Sequence, residues 1–147
     1  MSKNMVRCAI LGLACILVAC VGRGFAAQKT TLKLSHDYAI DGVVDRAMKH
    51  FASEVDRLSD GQMTVEIYPG GVLGTWRECL EAMEFGTVDM VAESLGTLEP
   101  YCKLAGLEGA PYLYKDEAHF YRVWDGPVGA EVIEEIVRQT NRRFLNV

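Results

Sequence analysis

The segment that most constrains the fold runs from Met63 to Val91 and contains the signals for a strand, a turn and a helix in succession. Its opening residues, Met63–Tyr68, place apolar side chains at every second position, which is the period of a β-strand. Pro69 ends that strand, because proline has no N–H group to donate to a neighbouring strand. Thr75 and Glu78 then have the S/T-x-x-E spacing of a capping box, which predicts that a helix begins there.

The second half of this segment completes a βαβ unit. Gly86 stands where a glycine commonly ends a helix, and Val88–Val91 is an apolar run typical of a buried strand. The helix of such a unit begins near the end of the preceding strand, where unpaired N–H groups and the helix dipole favour an anion. The sequence therefore predicts that the start of this helix attracts a carboxylate.

The residues before Met63 add one more strand and one more helix. Alternation over Thr31–His36 predicts the strand, and apolar residues at spacings of three and four predict a helix from Asp41 to Leu58. The order β, α, β, α, β predicts an α/β fold with a mostly parallel sheet and helices on both faces. Ligands of such sheets bind beyond the carboxyl ends of the strands. Those ends carry His36–Tyr38, Tyr68–Thr75 and Ala92–Ser94.

Beyond Ser94 the pattern weakens and predicts mainly helices. We expect a short helix over Thr97–Leu104, a helix capped by Asp116, and a helix with Pro127 in its first turn. Alternating residues over Arg143–Val147 predict a final strand.

Residues 1–27 have the features of a secretory signal peptide: a basic start, an apolar run and small residues before a cleavage site. A retained membrane anchor is the alternative, although the apolar run is short for a membrane-spanning helix. Leu17–Cys20 also has the pattern of a bacterial lipoprotein cleavage box, which would leave a lipid anchor on Cys20. Both cleavage routes place residues 28–147 outside the cytoplasmic membrane, so we expect a periplasmic protein.

Charge and motifs exclude several classes of function. Residues 1–27 hold three of the 15 basic residues and none of the 20 acidic ones, so the remaining chain has a net charge of −8. An acidic chain without a basic stripe argues against nucleic acid as a partner. The sequence contains no G-x-S-x-G, H-E-x-x-H, G-x-G-x-x-G or P-loop lysine, and it predicts neither a cofactor nor a metal site.

Cys79 and Cys102 are the two cysteines that remain after residue 27. An oxidising compartment permits a disulfide between them. Both lie in helix-like stretches, however, where a free cysteine commonly acts as a small buried apolar residue. Without a C-x-x-C motif, neither zinc binding nor thiol redox chemistry is indicated.

Several segments together form a fairly specific pattern, although each alone would be weak. They are Leu32–His36, Gly61–Gly74, Arg77–Glu81, Gly86–Met90 and Asp125–Gly129. In these residues the chain from about Thr30 onward resembles the N-terminal part of the extracytoplasmic solute-binding proteins of tripartite ATP-independent periplasmic (TRAP) transporters. The resemblance implies a lobe of a periplasmic solute-binding protein.

The resemblance also implies a missing half. Family members are roughly twice as long and have two α/β lobes that close on a ligand. Their main carboxylate-binding arginine lies in the second half, in a Gly-x-Lys-x-Arg type of segment that has no match here. Arg142 and Arg143 precede the final predicted strand and are not candidates for that role. We therefore expect residues 28–147 to form the first lobe, incomplete, with the second lobe missing.

The candidate ligand-binding residues lie at the strand ends and at the helix start. His36 and Asp37 match positions that line the cleft of the family, and the resemblance implies cleft-facing polar contacts for Glu93 and Ser94. Trp76, in the first helical turn, could stack on a ligand. Each has an ordinary alternative: a structural histidine, solvated acids at strand ends, and a tryptophan that packs at the helix start.

The function implied by the resemblance is the capture of a small organic acid and its delivery to the membrane subunits of a TRAP transporter. A sensor domain that signals to a membrane partner would use the same fold, so only the partner distinguishes it. An enzyme is the third class. His36, Asp37 and Glu93 could form an acid–base site at adjoining strand ends, but they lack a nucleophile or a full metal set.

Overall fold

The computed structural model describes residues 29–145. The predicted signal peptide over residues 1–27, with its alternative lipid anchor at Cys20, lies outside the described residues. The described elements are β1 (Thr30–Ser35), α1 (Val43–Leu58), β2 (Met63–Tyr68), α2 (Trp76–Glu84), β3 (Met90–Val91), 3-10 helices at Leu95–Leu98 and Lys103–Leu107, α3 (Glu117–Trp124) and α4 (Pro127–Thr140).

The strands form one parallel sheet in the order β2-β1-β3. β1 pairs with β2 along its whole length, from Thr30 opposite Met63 to Ser35 opposite Tyr68. β3 pairs only with the end of β1, where Leu34 lies opposite Met90. Because β1 is the central strand, with a neighbour on each side, its last residues are buried. The predicted α/β class with a mostly parallel sheet is confirmed.

The start of α2 is the part of the fold that the sequence predicts most directly. The Thr75 N–H donates to Glu78 Oε2 at 2.7 Å, and the Glu78 N–H donates to Thr75 Oγ1 at 3.4 Å, so the capping box is complete. Gly74 precedes it with φ of +117°, and a Cβ atom there would lie 2.8 Å from Glu78 Oε2. Glycine is therefore required for the carboxylate of Glu78 to reach back over the helix start.

The main apolar core lies between α2, the 3-10 helices, α3 and α4. Trp124 and Ile136 are almost fully buried in it, and the Trp124 indole N–H donates to the Tyr114 hydroxyl at 3.0 Å. Gly129 permits the close approach of α3 and α4, because a Cβ atom there would lie 2.3 Å from the Trp124 carbonyl oxygen. The other buried members of this core are Leu80, Leu95, Leu98, Cys102 and Ala105.

Two predicted boundaries move for local reasons. α1 begins at Val43 rather than Asp41, because Asp41 has φ of 60° and Gly42 is extended, and neither conformation is helical. β3 is shorter than Val88–Val91. The side chain of Asp89 accepts a hydrogen bond from the Lys33 N–H at 2.8 Å and so takes the place of a backbone acceptor.

Two further expectations need correction, and the alternative to a disulfide is confirmed. The helix expected over Thr97–Leu104 is replaced by the two 3-10 helices, Leu95–Leu98 and Lys103–Leu107. The part of the expected final strand that the structure describes, residues 143–145, is not a strand, since Arg142 just before it turns into the core. Cys79 and Cys102 are both buried free thiols, which confirms the apolar alternative to a disulfide.

Candidate functional site

The carboxyl ends of β1 and β3 lie side by side and bring two polar segments together. The Ala92 N–H donates to the Ser35 carbonyl at 2.9 Å, which joins the segments where the strands end. Just beyond this bond the Tyr38 hydroxyl donates to Glu93 Oε2 at 3.4 Å. We call the set Asp37, Tyr38, Glu93 and Ser94 the polar edge.

A groove of about 500 Å³ runs from the polar edge along β3. Its polar end is formed by Tyr38, Glu93 and Ser94. Its other walls are mostly apolar side chains of the two flanking helices and of the residues after α4, among them Val44, Met48, Phe51, Leu80, Met83, Phe144 and Leu145. A concave apolar surface with a few convergent polar groups at one end is the usual form of a small-molecule site.

Glu93 has the most perturbed chemistry in the groove. Its side chain is partly buried, and its Oε1 atom is buried with no hydrogen-bond partner among the described residues. Burial raises the pKa of Glu93 to about 7, and the neighbouring Asp37 carboxyl adds to the increase. None of the ion pairs within residues 29–145 involves Asp37 or Glu93. Glu93 thus holds a proton near neutral pH, and one of its oxygens lacks a hydrogen-bond donor.

Tyr38 and Ser94 complete the polar edge from opposite sides. Burial and the adjacent Glu93 carboxyl raise the pKa of Tyr38, so its hydroxyl stays a donor. Ser94 is exposed; its Oγ caps the first 3-10 helix by accepting from the Gly96 N–H at 3.2 Å. Glu108 also accepts from that N–H, at 2.7 Å, and adds a further acid beside Ser94.

His36 lies behind the polar edge rather than in it. Its side chain is fully buried, and its Nε2 atom lies 3.3 Å from Asp45 Oδ1 at the start of α1. Its Nδ1 atom is buried without a hydrogen-bond partner in the described part of the chain. No sequence pattern predicts this burial, because Asp45 is nine residues further along the chain.

Trp76 is half-buried and packs against the main core from the first turn of α2. The Arg77 guanidinium lies 4.8 Å from the centre of its ring. Trp76 does not line the groove. The structure therefore brings Asp37, Glu93 and Ser94 together and places His36 and Trp76 outside that group.

The start of α2 differs from the anion site that the βαβ pattern suggests. The carboxylate of Glu78 already accepts from the Thr75 N–H and from the Thr75 hydroxyl. These bonds lower the pKa of Glu78, so the capping carboxylate is itself the anion at this helix start.

Arg142 has a structural role, as its position before the final predicted strand suggests. It is buried and donates to the carbonyl oxygens of Leu80 at 3.0 Å and Thr140 at 3.1 Å, and to Glu84 at 2.8 Å. Its guanidinium also lies 4.9 Å from the centre of the Tyr101 ring. These contacts fix the end of α4 against α2.

Residues 29–145 contain no helix long and apolar enough to cross a membrane. Over the same range, no three His, Cys, Asp or Glu side chains are close enough together to hold a metal ion.

Comparison with known proteins places this geometry in a family. The profile of the bacterial extracellular solute-binding proteins, family 7, matches residues 34–147. This match covers most of the chain, and the chain belongs to that family.

Curated relatives agree with this assignment. A solute-binding protein of Roseobacter denitrificans is 31% identical over 136 residues, which are 91% of this chain and 42% of that protein. The C4-dicarboxylate-binding periplasmic protein DctP of Rhodobacter capsulatus is 28% identical over 115 residues, which are 75% of this chain and 33% of that protein. The chain thus spans less than half the length of these relatives.

Solved structures show the same fold. The crystal structure of a TRAP periplasmic solute-binding protein from Roseobacter denitrificans with bound L-galactonate is similar with a TM-score of 0.72 and 31% identity. The similarity covers 77% of this chain and 37% of that one. The predicted resemblance to TRAP solute-binding proteins, limited to their N-terminal part, is confirmed.

Proposed function

We propose that the protein is the extracytoplasmic solute-binding subunit of a TRAP-type transporter, and that it captures a small organic acid. The observation that carries this proposal is the polar edge. In a member of this family, it places an unsatisfied acceptor, Glu93 Oε1, at the end of an apolar groove, beyond the carboxyl ends of two parallel strands. The partners are the ligand and the membrane permease subunits.

The acidic character of the polar edge determines which groups of the ligand can bind there. Asp37, Glu93 and the nearby Glu108 are acids, so they repel a carboxylate and accept hydrogen bonds from hydroxyl groups. We therefore place the hydroxyl groups of the ligand at the polar edge. The carboxylate of the ligand would be bound elsewhere, by a basic group of a second lobe.

The proposed domain arrangement follows the relatives. Residues 28–147 correspond to the first lobe of a two-lobe protein, and residues 1–27 to a signal peptide that directs it to the periplasm. Lipid attachment at Cys20 is the alternative route. The proposed mechanism is lobe closure, in which a ligand that contacts both lobes favours the closed state and dissociates unchanged.

The five candidate residues have different proposed roles. Asp37, Glu93 and Ser94 contact the ligand directly, and Tyr38 assists them by donating to Glu93. His36 supports the loop from behind, because its side chain is fully buried. Trp76 shapes the helix start and the rim.

Isothermal titration of the two-lobe protein with L-galactonate and with succinate tests this function. We expect binding of L-galactonate, and we expect Glu93→Gln to weaken it by about tenfold, which lies within the range for one buried polar group left without its partner. Glu66→Gln is the matched control, since Glu66 is an exposed carboxylate of β2 that does not line the groove. Absence of binding, or equal effects of the two substitutions, would contradict the proposal. Chemical change of the ligand during incubation would instead indicate an enzyme.

A further inference from the structure

The loop that presents Asp37 and Tyr38 is held at both ends by one buried carboxylate. Asp45, in the first turn of α1, is fully buried. Its Oδ1 atom lies 3.3 Å from His36 Nε2, at the residue before the loop. Its Oδ2 atom accepts from the Asp41 N–H at 2.7 Å, at the residue where the loop ends.

The protonation of this cluster follows from its contacts. Lys49 donates to Asp45 Oδ2 at 2.9 Å, and this bond, with that of the Asp41 N–H, holds the pKa of Asp45 below its usual value. Asp45 is therefore an acceptor only, and His36 must donate from Nε2. The proton on Nε2 leaves Nδ1 as the atom without a partner, as observed.

The far end of the loop needs such a restraint. Asp41 has φ of 60°, a left-handed conformation that costs energy for a residue with a side chain. Besides its bond to Asp45, Asp41 accepts from Lys49 Nζ at 2.8 Å through its own side chain. The near end is tied to the β2–α2 turn, since the Gly71 N–H donates to the His36 carbonyl at 3.0 Å.

We propose that Asp45 is a positioning residue of the ligand site: by binding His36 just before the 37–41 loop and Asp41 at its end, it fixes where Asp37 and Tyr38 meet Glu93. Asp45 does not touch the ligand. It acts through His36 and through the backbone of Asp41. The geometry of the polar edge is thus determined by a residue of α1, a helix that supplies none of the polar-edge residues. The binding readout of this inference rests on the proposed function, whereas its structural readouts do not.

The test variant is Asp45→Asn, which keeps the shape of the side chain and an oxygen for His36. Its amide group has no second acceptor oxygen for the Asp41 N–H. We expect amide hydrogen exchange at residues 38–41 to become about tenfold faster and the affinity for L-galactonate to fall about tenfold, as for one charged hydrogen bond lost. In the unsubstituted protein, ¹⁵N NMR should show the His36 proton on Nε2.

Ile136→Val is the matched control, because it destabilises the main core at a fully buried position outside the loop. We expect the amide exchange rates of residues 38–41, compared with those of the other exposed loops, to stay unchanged in this variant. We also expect its affinity for L-galactonate to stay unchanged. Equal losses in the two variants would reduce Asp45 to a general stabilising residue and overturn the inference. Unchanged exchange in Asp45→Asn, or a His36 proton on Nδ1 alone, would also overturn it.

Failure of the proposed function is distinguishable from failure of this inference. If the unsubstituted protein does not bind L-galactonate or succinate but the exchange and tautomer results agree with expectation, the proposed function is wrong and the loop restraint stands. If it binds L-galactonate and Asp45→Asn binds it equally well, the proposed function stands and the inference is wrong.

Discussion

The polar edge and the main core differ in whether certain buried polar atoms, those of Trp124, Glu93 and His36, have hydrogen-bond partners. In the core, the one indole N–H that Trp124 buries donates to the Tyr114 hydroxyl, which in turn donates to the Leu107 carbonyl at 2.7 Å. Around the polar edge, Glu93 Oε1 and His36 Nδ1 are both buried without partners in the part of the chain that the structure describes. Within residues 29–145 two further buried polar atoms lack partners, Thr64 Oγ1 in β2 and Arg142 Nε beside the core. The contrast therefore rests on Glu93, which lines the groove and has an oxygen that a ligand could pair.

We infer from this contrast that stability and ligand binding depend mainly on different residues of the same α/β unit. Substitutions in the core should change the free energy of unfolding and leave ligand affinity unaffected. Substitutions at the polar edge should mainly change ligand affinity, with a smaller, pH-dependent effect on stability at Glu93.

The largest loss of stability is expected for Ile136→Ala. Ile136 is fully buried in the core, and removal of its side-chain atoms leaves a cavity that costs about 3 kcal/mol. Urea unfolding followed by circular dichroism measures this loss. A change below about 1 kcal/mol would mean that the core at α4 is loosely packed.

Arg142→Met should cost about 2 kcal/mol, because it leaves the Leu80 and Thr140 carbonyl oxygens without their buried donor. Methionine fills a similar volume, so the loss reports hydrogen bonds more than packing. The same urea experiment gives the value. Arg143→Met is the control, since the neighbouring Arg143 is exposed, and an equal loss in both would contradict the structural role of Arg142.

Thr75→Ala removes one half of the capping box at the start of α2. The Glu78 N–H loses its acceptor, and a helix cap of this kind contributes about 1 kcal/mol. Thermal unfolding should show the loss, and Thr75→Ser should restore most of it. If alanine and serine behave alike, the cap does not contribute to the stability of this helix.

The smallest expected effect is a pH dependence at the polar edge. The pKa of Glu93 is about 7 in the folded protein against an ordinary value of 4.5. Between pH 4.5 and 7 the unfolded chain loses this proton while the folded protein keeps it, so stability falls as the pH rises across that range. Allowing for solvent screening at this partly exposed site, we expect a fall of about 1 kcal/mol.

Urea unfolding at several pH values between 4.5 and 7 measures how the free energy of unfolding changes with pH. The reference is Glu93→Gln, whose side chain at position 93 cannot ionise. The difference between the two proteins should be smallest at the acidic end, where Glu93 is neutral in the folded protein and only half-ionised in the unfolded chain. If the unsubstituted protein instead becomes more stable relative to Glu93→Gln as the pH rises across this range, the raised pKa of Glu93 is contradicted.

Local sequence signals predicted local structure well. The capping box of Thr75 and Glu78, the cap at Asp116 and the helix start at Pro127 are all confirmed, because each depends on residues within one helical turn. Adjacent positioning of Asp37 and Glu93 was also predictable, since the ends of parallel strands meet at one edge of the sheet.

Contacts between distant residues explain what the sequence did not reveal. The shortened β3 depends on the contact of Asp89 with Lys33, which is 56 residues away. Arg142 contacts the carbonyl of a residue 62 positions away. The burial of His36 depends on its contact with Asp45 at the start of α1, nine residues away, and no local pattern around His36 predicts that contact.

The most direct test of the polar edge is chemical-shift mapping by NMR during titration of the ¹⁵N-labelled protein with L-galactonate. We expect saturable shifts concentrated at residues 36–38 and 92–94, with unchanged signals from Trp124 and Ile136 in the core. Shifts concentrated at the start of α2, or no saturable shift, would contradict the assignment of the ligand site to the joined ends of β1 and β3.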